Sequence, residues 1–144
     1  MLAPGELHYL GLLMLLELLR KEGVVATFAG ENKSPDEISD LVKRFTPDFV
    51  FISCMTADCI PATLELVAAL RSISSRVTII AGGPAALHQS TELINAGCSQ
   101  ICANPNEARR AVRRFILQRA KSRLPFGALL PRRYARENSW LSRN

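Results

Sequence analysis

The stretch Phe49-Val50-Phe51-Ile52-Ser53-Cys54-Met55-Thr56 decides the fold, because four consecutive apolar residues give way to small and polar ones. An unbroken apolar run of this length is typical of a parallel strand that is buried on both faces. A second such run, Val77 to Ala81, ends in the same way at Gly82-Gly83-Pro84. Two buried strands separated by helical sequence predict an α/β layered fold.

Helical and extended segments alternate outward from these two strands. The predicted helices are Tyr9 to Glu22, one opened by the capping box Ser34-Pro35-Asp36-Glu37, Ile60 to Ile73, a short one near Gln89 to Ala96, and Pro105 to Ser122. The other predicted strands are Met1 to Ala3, Val24 to Ala29 and Ser99 to Ala103. This order predicts a doubly wound, flavodoxin- or Rossmann-like, five-stranded parallel sheet with helices on both faces. Strand 1 is expected to be shortened, since only three residues precede Pro4 and a strand usually has five or six.

The composition excludes several classes of protein. With 144 residues, 48% of them apolar, the chain has enough hydrophobic sequence for one buried core. The longest apolar run, Leu10 to Leu19, is too short to cross a bilayer and lacks the features of a signal peptide. We therefore expect a cytoplasmic protein with no membrane contact. The spacing of Cys54, Cys59, Cys98 and Cys102 does not match the common zinc patterns, so these residues are expected to be small buried hydrophobes.

The charge is divided unevenly along the chain. Residues 1–108 contain seven Lys or Arg against twelve Asp or Glu, whereas residues 109–144 contain eleven against one. A basic segment of this kind can contact nucleic acid or an acidic partner, and it can equally be a solvated helix face followed by a flexible end. We predict one domain over residues 1–122 and a basic, flexible tail over residues 123–144.

A candidate metal ligand lies in Pro4-Gly5-Glu6-Leu7-His8-Tyr9-Leu10-Gly11. In a turning segment, Glu6 and His8 can approach closely enough for the carboxylate to accept the imidazole Nδ1–H. That bond leaves the Nε2 lone pair directed outward, as in many histidines that bind metals. Gly11 has no Cβ, so a bulky group can approach the first helical turn. The alternative is that His8 is only a solvated residue at a helix start.

Three groups of residues are expected to meet at one edge of the sheet. Glu6 and His8 follow strand 1, Ser53 to Thr56 follow the strand that ends at Ile52, and Gly82-Gly83 follow the next one. In open parallel sheets, ligands bind outside the carboxyl ends of the strands. Taken singly, Ser53 could be an ordinary strand-end cap and Gly82-Gly83 a plain turn between strand and helix.

Together the three groups resemble the cobalamin (vitamin B12)-binding domain family, whose pattern is D-x-H-x-x-G, S-x-L and G-G. The matching residues are Glu6-x-His8-x-x-Gly11, Ser53-x-Met55 and Gly82-Gly83, in that order. The similarity covers about Leu2 to Arg114. Each motif alone is weak, but the ordered set on a matching framework is specific. The resemblance implies a bound cobalamin, in its adenosyl, methyl or hydroxo form.

The resemblance also implies a role for each motif. His8 would replace the cofactor's own dimethylbenzimidazole as the lower ligand of cobalt, and Glu6 would orient His8. Gly11 would let the corrin ring approach. The detached nucleotide tail would enter a slot in which Ser53 hydrogen-bonds the base and Gly82-Gly83 leave room. The implied cofactor-binding residues are Glu6, His8, Gly11, Ser53, Met55, Thr56, Gly82 and Gly83, with His8 as the metal ligand.

Two residues depart from the family pattern, Glu6 in place of Asp and Met55 in place of Leu. The Pro-Gly-Glu-x-His form is most similar to the cobalamin domains of bacterial light- and redox-responsive transcription regulators, including photoreceptor repressors and antirepressors. This similarity implies a sensor module that responds to light or redox state and whose partner is a DNA-binding repressor. The sequence shows no catalytic set of acid, base and nucleophile, so we do not expect an enzyme. The basic segment can contact DNA directly or through the repressor. The alternatives are a corrinoid methyl carrier for a methyltransferase, a variant that holds haem in the same fold, and a cofactor-free domain used for protein contacts.

Overall fold

The computed structural model describes the backbone of residues 1–123 and the side chains of residues 1–119. The helices are α1 (Leu10–Lys21), α2 (Pro35–Phe45), α3 (Ile60–Ile73), α4 (Pro84–His88), α5 (Ser90–Ala96) and α6 (Pro105–Arg123), with a short 3-10 helix at Ala57–Cys59 before α3. The strands are β1 (Phe49–Ser53), β2 (Thr78–Gly82) and β3 (Gln100–Cys102). They form a parallel sheet in the order β1-β2-β3. The predicted α/β fold with a parallel sheet is therefore confirmed.

The prediction of five strands is not confirmed, because within residues 1–123 the sheet has three. Met1 to Ala3 lies beside β1 and makes only an isolated parallel bridge, between Leu2 and Ser53. The Leu2 amide also donates to the Gly30 carbonyl at 3.2 Å. Residues 24–29 form no strand, and Val25 is 99% exposed. A single hydrogen bond to Gly30 is not a ladder, so in the described structure residues 24–29 have no neighbouring strand with which to pair.

The predicted helices agree with the structure to within two residues at their ends, and the short helix α4 was not predicted. The capping box before α2 is present: the Ser34 hydroxyl accepts from the Glu37 amide at 3.3 Å, and the Glu37 carboxylate accepts from the Ser34 amide at 2.9 Å. Helix α4 begins at Pro84, directly after Gly83, because proline suits the first position of a helix. Gly82 lies beside the end of β1 because the two strands pair with Ser53 opposite Gly82, and the Cys54 amide donates to the Gly82 carbonyl at 2.8 Å.

Alternate side chains of β2 lie on opposite faces of the sheet, since successive residues of a strand point in opposite directions. Ile79 and Ala81 are fully buried in a core that includes Ile38 and Val42 of α2 and residues of α3. Ile80, which lies between them in sequence, lines a cleft together with Leu12 of α1. Helices therefore pack on both faces, and α1 covers the face that contains the cleft.

The chain divides into two units, residues 1–111 and residues 112–144. The first unit contains the sheet, helices α1 to α5 and the start of α6. In the second unit the structure describes residues 112–123, the remainder of α6. Apart from Arg123, the predicted basic tail lies outside the described residues. In the described part, no helix has the length and apolar character needed to span a membrane.

Candidate cofactor-binding site

Glu6 is a buried carboxylate in the turn between Met1 to Ala3 and helix α1, and only 1% of its surface is exposed. The turn is set by Gly5, whose φ of +79° lies in the left-handed region that glycine adopts without strain. The Gly5 amide donates to Asn32 Oδ1 at 2.8 Å, and the Glu6 amide donates to the Ala3 carbonyl at 3.1 Å. These two bonds direct the Glu6 side chain inward although its neighbours Leu7 and His8 are exposed.

The two oxygens of Glu6 hold two different segments of the chain. Oε1 accepts from the amides of Leu7 at 2.9 Å and His8 at 2.8 Å, in its own turn. Oε2 accepts from the amides of Met55 at 2.7 Å and Thr56 at 3.2 Å, in the loop after β1. Glu6 therefore fixes the turn that contains His8 against the carboxyl end of the central sheet.

The hydrogen bonds of Glu6 keep its carboxylate ionised despite its burial. Burial by itself raises the pKa of this group, because a charge is poorly solvated in the protein interior. The bonds donated by His8, Met55 and Thr56 outweigh that effect and lower the pKa from the usual 4.5 to about 2. At neutral pH, Glu6 is thus a carboxylate that can only accept hydrogen bonds.

The charge state of Glu6 determines the tautomer of His8. Imidazole Nδ1 lies 2.6 Å from Glu6 Oε1, so the predicted hydrogen bond between these residues is present. Since the carboxylate can only accept, Nδ1 must bear the proton, and Nε2 of a neutral ring has a free lone pair. The side chain of His8 is 65% exposed, and Nε2 makes no hydrogen bond to any residue within 1–119. A single outward imidazole nitrogen suits a metal whose other coordination positions are already filled, as they are in a macrocycle.

A cleft of about 220 Å³ begins at Gly11 and Leu12, in the first turn of α1, which follows His8 in the chain, and runs along the carboxyl ends of the strands. It lies between α1, the start of α6 and the ends of β1, β2 and β3. Five of the eight predicted cofactor-binding residues line it, namely Gly11, Ser53, Met55, Gly82 and Gly83. The other three, Glu6, His8 and Thr56, form the hydrogen-bonded turn beside it. The structure thus brings all eight residues to one edge of the sheet.

The glycines of the site differ in what they do. A Cβ on Gly11 would meet no atom within 4 Å, so this face of α1 is open to an approaching group. Gly83 has a φ of +103°, and its Cβ would lie 2.3 Å from the Cys54 carbonyl oxygen. A Cβ on Gly82 would lie 3.1 Å from the Cys102 carbonyl oxygen. Gly82 and Gly83 are therefore required by close backbone packing, whereas the absence of a side chain at Gly11 leaves space.

Two further features of the site were not predicted from the sequence. Met55 and Thr56 contribute their backbone amides to Glu6, whereas both side chains are exposed. Cys59, which was expected to be only a small buried hydrophobe, also contacts the carboxylate, with Sγ 3.9 Å from Glu6 Oε2. The Cys59 thiol donates as well to the Thr56 carbonyl at 2.9 Å. The position of Cys59 in the sequence, six residues after Ser53, does not predict this contact, because only the folded loop brings the thiol to Glu6.

Comparisons with known proteins identify the family and the fold of this chain. The model of the B12 binding domain family matches residues 2–113. A cobalamin-binding protein from Desulfitobacterium hafniense DCB-2 has the same fold, with a TM-score of 0.69 and 20% identity over 78% of this chain and 55% of that one. The monomethylamine corrinoid protein of Methanosarcina barkeri has a TM-score of 0.68 and 15% identity over 77% of this chain and 53% of that one. This chain therefore spans about half the length of these two structures. None of the curated protein sequences matches it.

Proposed function

Because this chain belongs to the B12-binding domain family, with cobalamin as its cofactor, we propose that it is a corrinoid carrier domain with His8 as the lower axial ligand of cobalt. The observation that carries the proposal is the arrangement of Glu6 and His8. A carboxylate with its pKa lowered to about 2 fixes the imidazole tautomer and leaves Nε2 outward beside an open cleft.

The described residues fit the cofactor in size and chemistry. The exposed His8 ring would hold the cobalt through Nε2, and the open space at Gly11 would leave room for the broad macrocycle. The adjoining cleft offers an apolar channel for the part of the cofactor that His8 displaces.

Each residue of the site has a role in this proposal. Glu6 holds His8 in one tautomer and one orientation, and its negative charge makes Nε2 a stronger donor to the metal. The Met55 and Thr56 amides keep Glu6 ionised and link it to the sheet. Ser53 hydrogen-bonds the detached base in the cleft. When bound, cobalamin supplies a cobalt centre that can accept and release a methyl group.

A role in methyl transfer is supported by the monomethylamine corrinoid protein, whose fold this chain shares. We accordingly expect the partner to be a methyltransferase protein. The regulator or photoreceptor suggested by the Pro4-Gly5-Glu6 sequence, with a DNA-binding repressor as partner, remains a prediction, because neither the family match nor the two structures point to it. Haem remains the alternative cofactor for the same imidazole.

Reconstitution tests the cofactor and its ligand. The full chain is mixed separately with hydroxocobalamin, methylcobalamin and haemin, desalted, and examined by absorbance spectroscopy. We expect cobalamin to be retained with the spectrum of histidine-bound cobalt. His8→Ala should lose that spectrum. His88→Ala, which removes the only other histidine, should keep it. Retention of haemin but not of cobalamin, or an unchanged spectrum in His8→Ala, would overturn the proposal.

Illumination distinguishes the carrier from the regulator. Adenosyl- and methylcobalamin are photolabile in any protein, so a change of spectrum in light is not informative by itself. Size-exclusion chromatography of the loaded protein in the dark and after illumination is informative. A carrier should keep the same oligomeric state in both conditions, whereas a photoreceptor should change it.

A further inference from the structure

The cleft at the carboxyl ends of the strands has a mostly apolar wall. Most of its lining side chains are aliphatic or aromatic, among them Leu12, Leu15, Phe51, Ile80 and Pro84. Within residues 1–119, only two lining side chains carry a hydrogen-bonding oxygen or nitrogen, those of Ser53 and Asn104. A group that enters the cleft therefore leaves water for surroundings with few polar partners.

The amide of Asn104 is already engaged by the first turn of α6. Its Oδ1 accepts from the Glu107 amide at 3.1 Å, and its Nδ2 donates to Glu107 Oε1 at 3.3 Å. The Ser53 hydroxyl, in contrast, makes no hydrogen bond to any residue in the described part of the chain. The wall thus offers one uncommitted hydroxyl, at the end of β1.

We propose that this cleft selects corrinoids whose lower base is a benzimidazole over those whose lower base is a purine. The inference rests on the proposed function, since it requires that the base displaced by His8 enters the cleft. A detached benzimidazole has one free ring nitrogen, which matches the single hydroxyl of Ser53. Its remaining edge is hydrocarbon, which matches the aliphatic wall.

A purine base fits the same wall less well. Adenine carries an exocyclic amine and additional ring nitrogens, all hydrogen-bonded to water in solution. Inside the cleft, one of these groups can pair with Ser53, and any other that lies against an aliphatic side chain loses water without a side-chain partner. One buried and unsatisfied polar group weakens binding by about tenfold to a hundredfold. The benzimidazole form should be preferred by a factor of this size.

Equilibrium binding to the full chain tests the preference. The ligands are cobalamin, the matching corrinoid with an adenine base, and cobinamide, which has no base. The cost of detaching each base from cobalt belongs to the free corrinoid, so it cancels when the same two ligands are compared between protein variants. Leu12→Asn adds an amide to the wall at a half-buried position and should reduce the preference for cobalamin at least fivefold.

Ser53→Ala provides a second variant, which removes the hydroxyl with little change in volume. It should weaken cobalamin binding by about tenfold and leave cobinamide binding unchanged. Ser72→Ala, on the exposed face of α3, is the matched control and should change neither.

The outcomes separate the two proposals. If all three ligands give a His8-dependent spectrum but the ratio of affinities is the same in wild type, Leu12→Asn and Ser53→Ala, the base preference is overturned and the carrier proposal stands. If no corrinoid gives a His8-dependent spectrum, the carrier proposal is overturned, and the base preference with it.

Discussion

Replacing Glu6 by glutamine tests whether one carboxylate holds the site together. Glutamine has nearly the same shape, but one of its two terminal atoms is an amide nitrogen that donates. In the wild type, Oε1 accepts from three N–H groups and Oε2 from two. Whichever way the amide is turned, its NH2 group faces at least two donors. Glu6→Gln therefore loses two or more charge-assisted hydrogen bonds, each worth about 1.5–3 kcal/mol.

The pKa of Glu6 gives an independent magnitude. Lowering it from 4.5 to about 2 corresponds to about 3 kcal/mol of stabilisation, at about 1.4 kcal/mol per pKa unit. Because the folded-state pKa is the lower one, this contribution is complete above about pH 4.5 and is lost as the pH falls through 2. By about pH 3 it should have fallen to less than half. We expect Glu6→Gln to lower the free energy of unfolding by about 3 kcal/mol at pH 7, and by much less at pH 3.

Urea unfolding followed by circular dichroism measures both quantities. The wild type, Glu6→Gln and Glu65→Gln are compared at pH 7, 5 and 3. Glu65 is an exposed carboxylate on α3, so its variant is the matched control and should differ from the wild type by less than about 0.5 kcal/mol. The reasoning is refuted if Glu6→Gln is within about 1 kcal/mol of the wild type at pH 7, or if its deficit is as large at pH 3 as at pH 7.

Two further predictions concern the glycines and the cysteines. Gly83→Ala should lower the free energy of unfolding by about 2 kcal/mol or more, because φ is +103° and the new Cβ would meet the Cys54 carbonyl. Gly11→Ala should raise the free energy of unfolding by about 0.5–1 kcal/mol, because alanine is a better helix former and its Cβ would lie in open space. Thermal denaturation compares the two variants, and equal changes in melting temperature would contradict the different roles given to Gly83 and Gly11. Burial raises the pKa of the Cys54 thiol to about 12, so iodoacetamide at pH 8 should label this residue only after unfolding, as mass spectrometry can show. Rapid labelling of Cys54 in the folded protein would mean that the end of β1 is open.

The parts of the structure that were predicted correctly depend on local sequence. The apolar runs of β1 and β2 form neighbouring parallel strands as predicted, although in β1 only Ile52 is buried and the other residues are half-buried, and the bond between Glu6 and His8 joins residues two apart. The parts that were missed depend on distant residues. Val24 to Ala29 has a strand-like composition, but a strand needs a neighbour, and Met1 to Ala3 bridges β1 and makes only one bond towards this segment, to Gly30.

The same distinction applies within the site. The order of the motifs predicted that the eight residues lie at one edge of the sheet, because the carboxyl ends of parallel strands meet there. The sequence did not reveal that Oε2 of Glu6 is bound by amides 49 and 50 residues away. Every residue except proline has a backbone amide, so neither composition nor motif spacing shows which amides donate hydrogen bonds to Glu6. The roles of Met55 and Thr56 therefore became visible only in the folded loop.

The double attachment of Glu6 has a consequence for how the site works. One oxygen sets the position of His8, and the other holds the loop that follows Ser53 at the mouth of the cleft. The proposed metal ligand, His8, and the loop beside the cleft are thus held by the same buried side chain. Movement of the loop would alter the hydrogen bonds to Glu6 and, through them, the basicity of His8. A base seated in the cleft against Ser53 would hold that loop in place. On the proposed function, a base in the cleft would therefore hold the hydrogen bond between Glu6 and His8 in place without touching the imidazole.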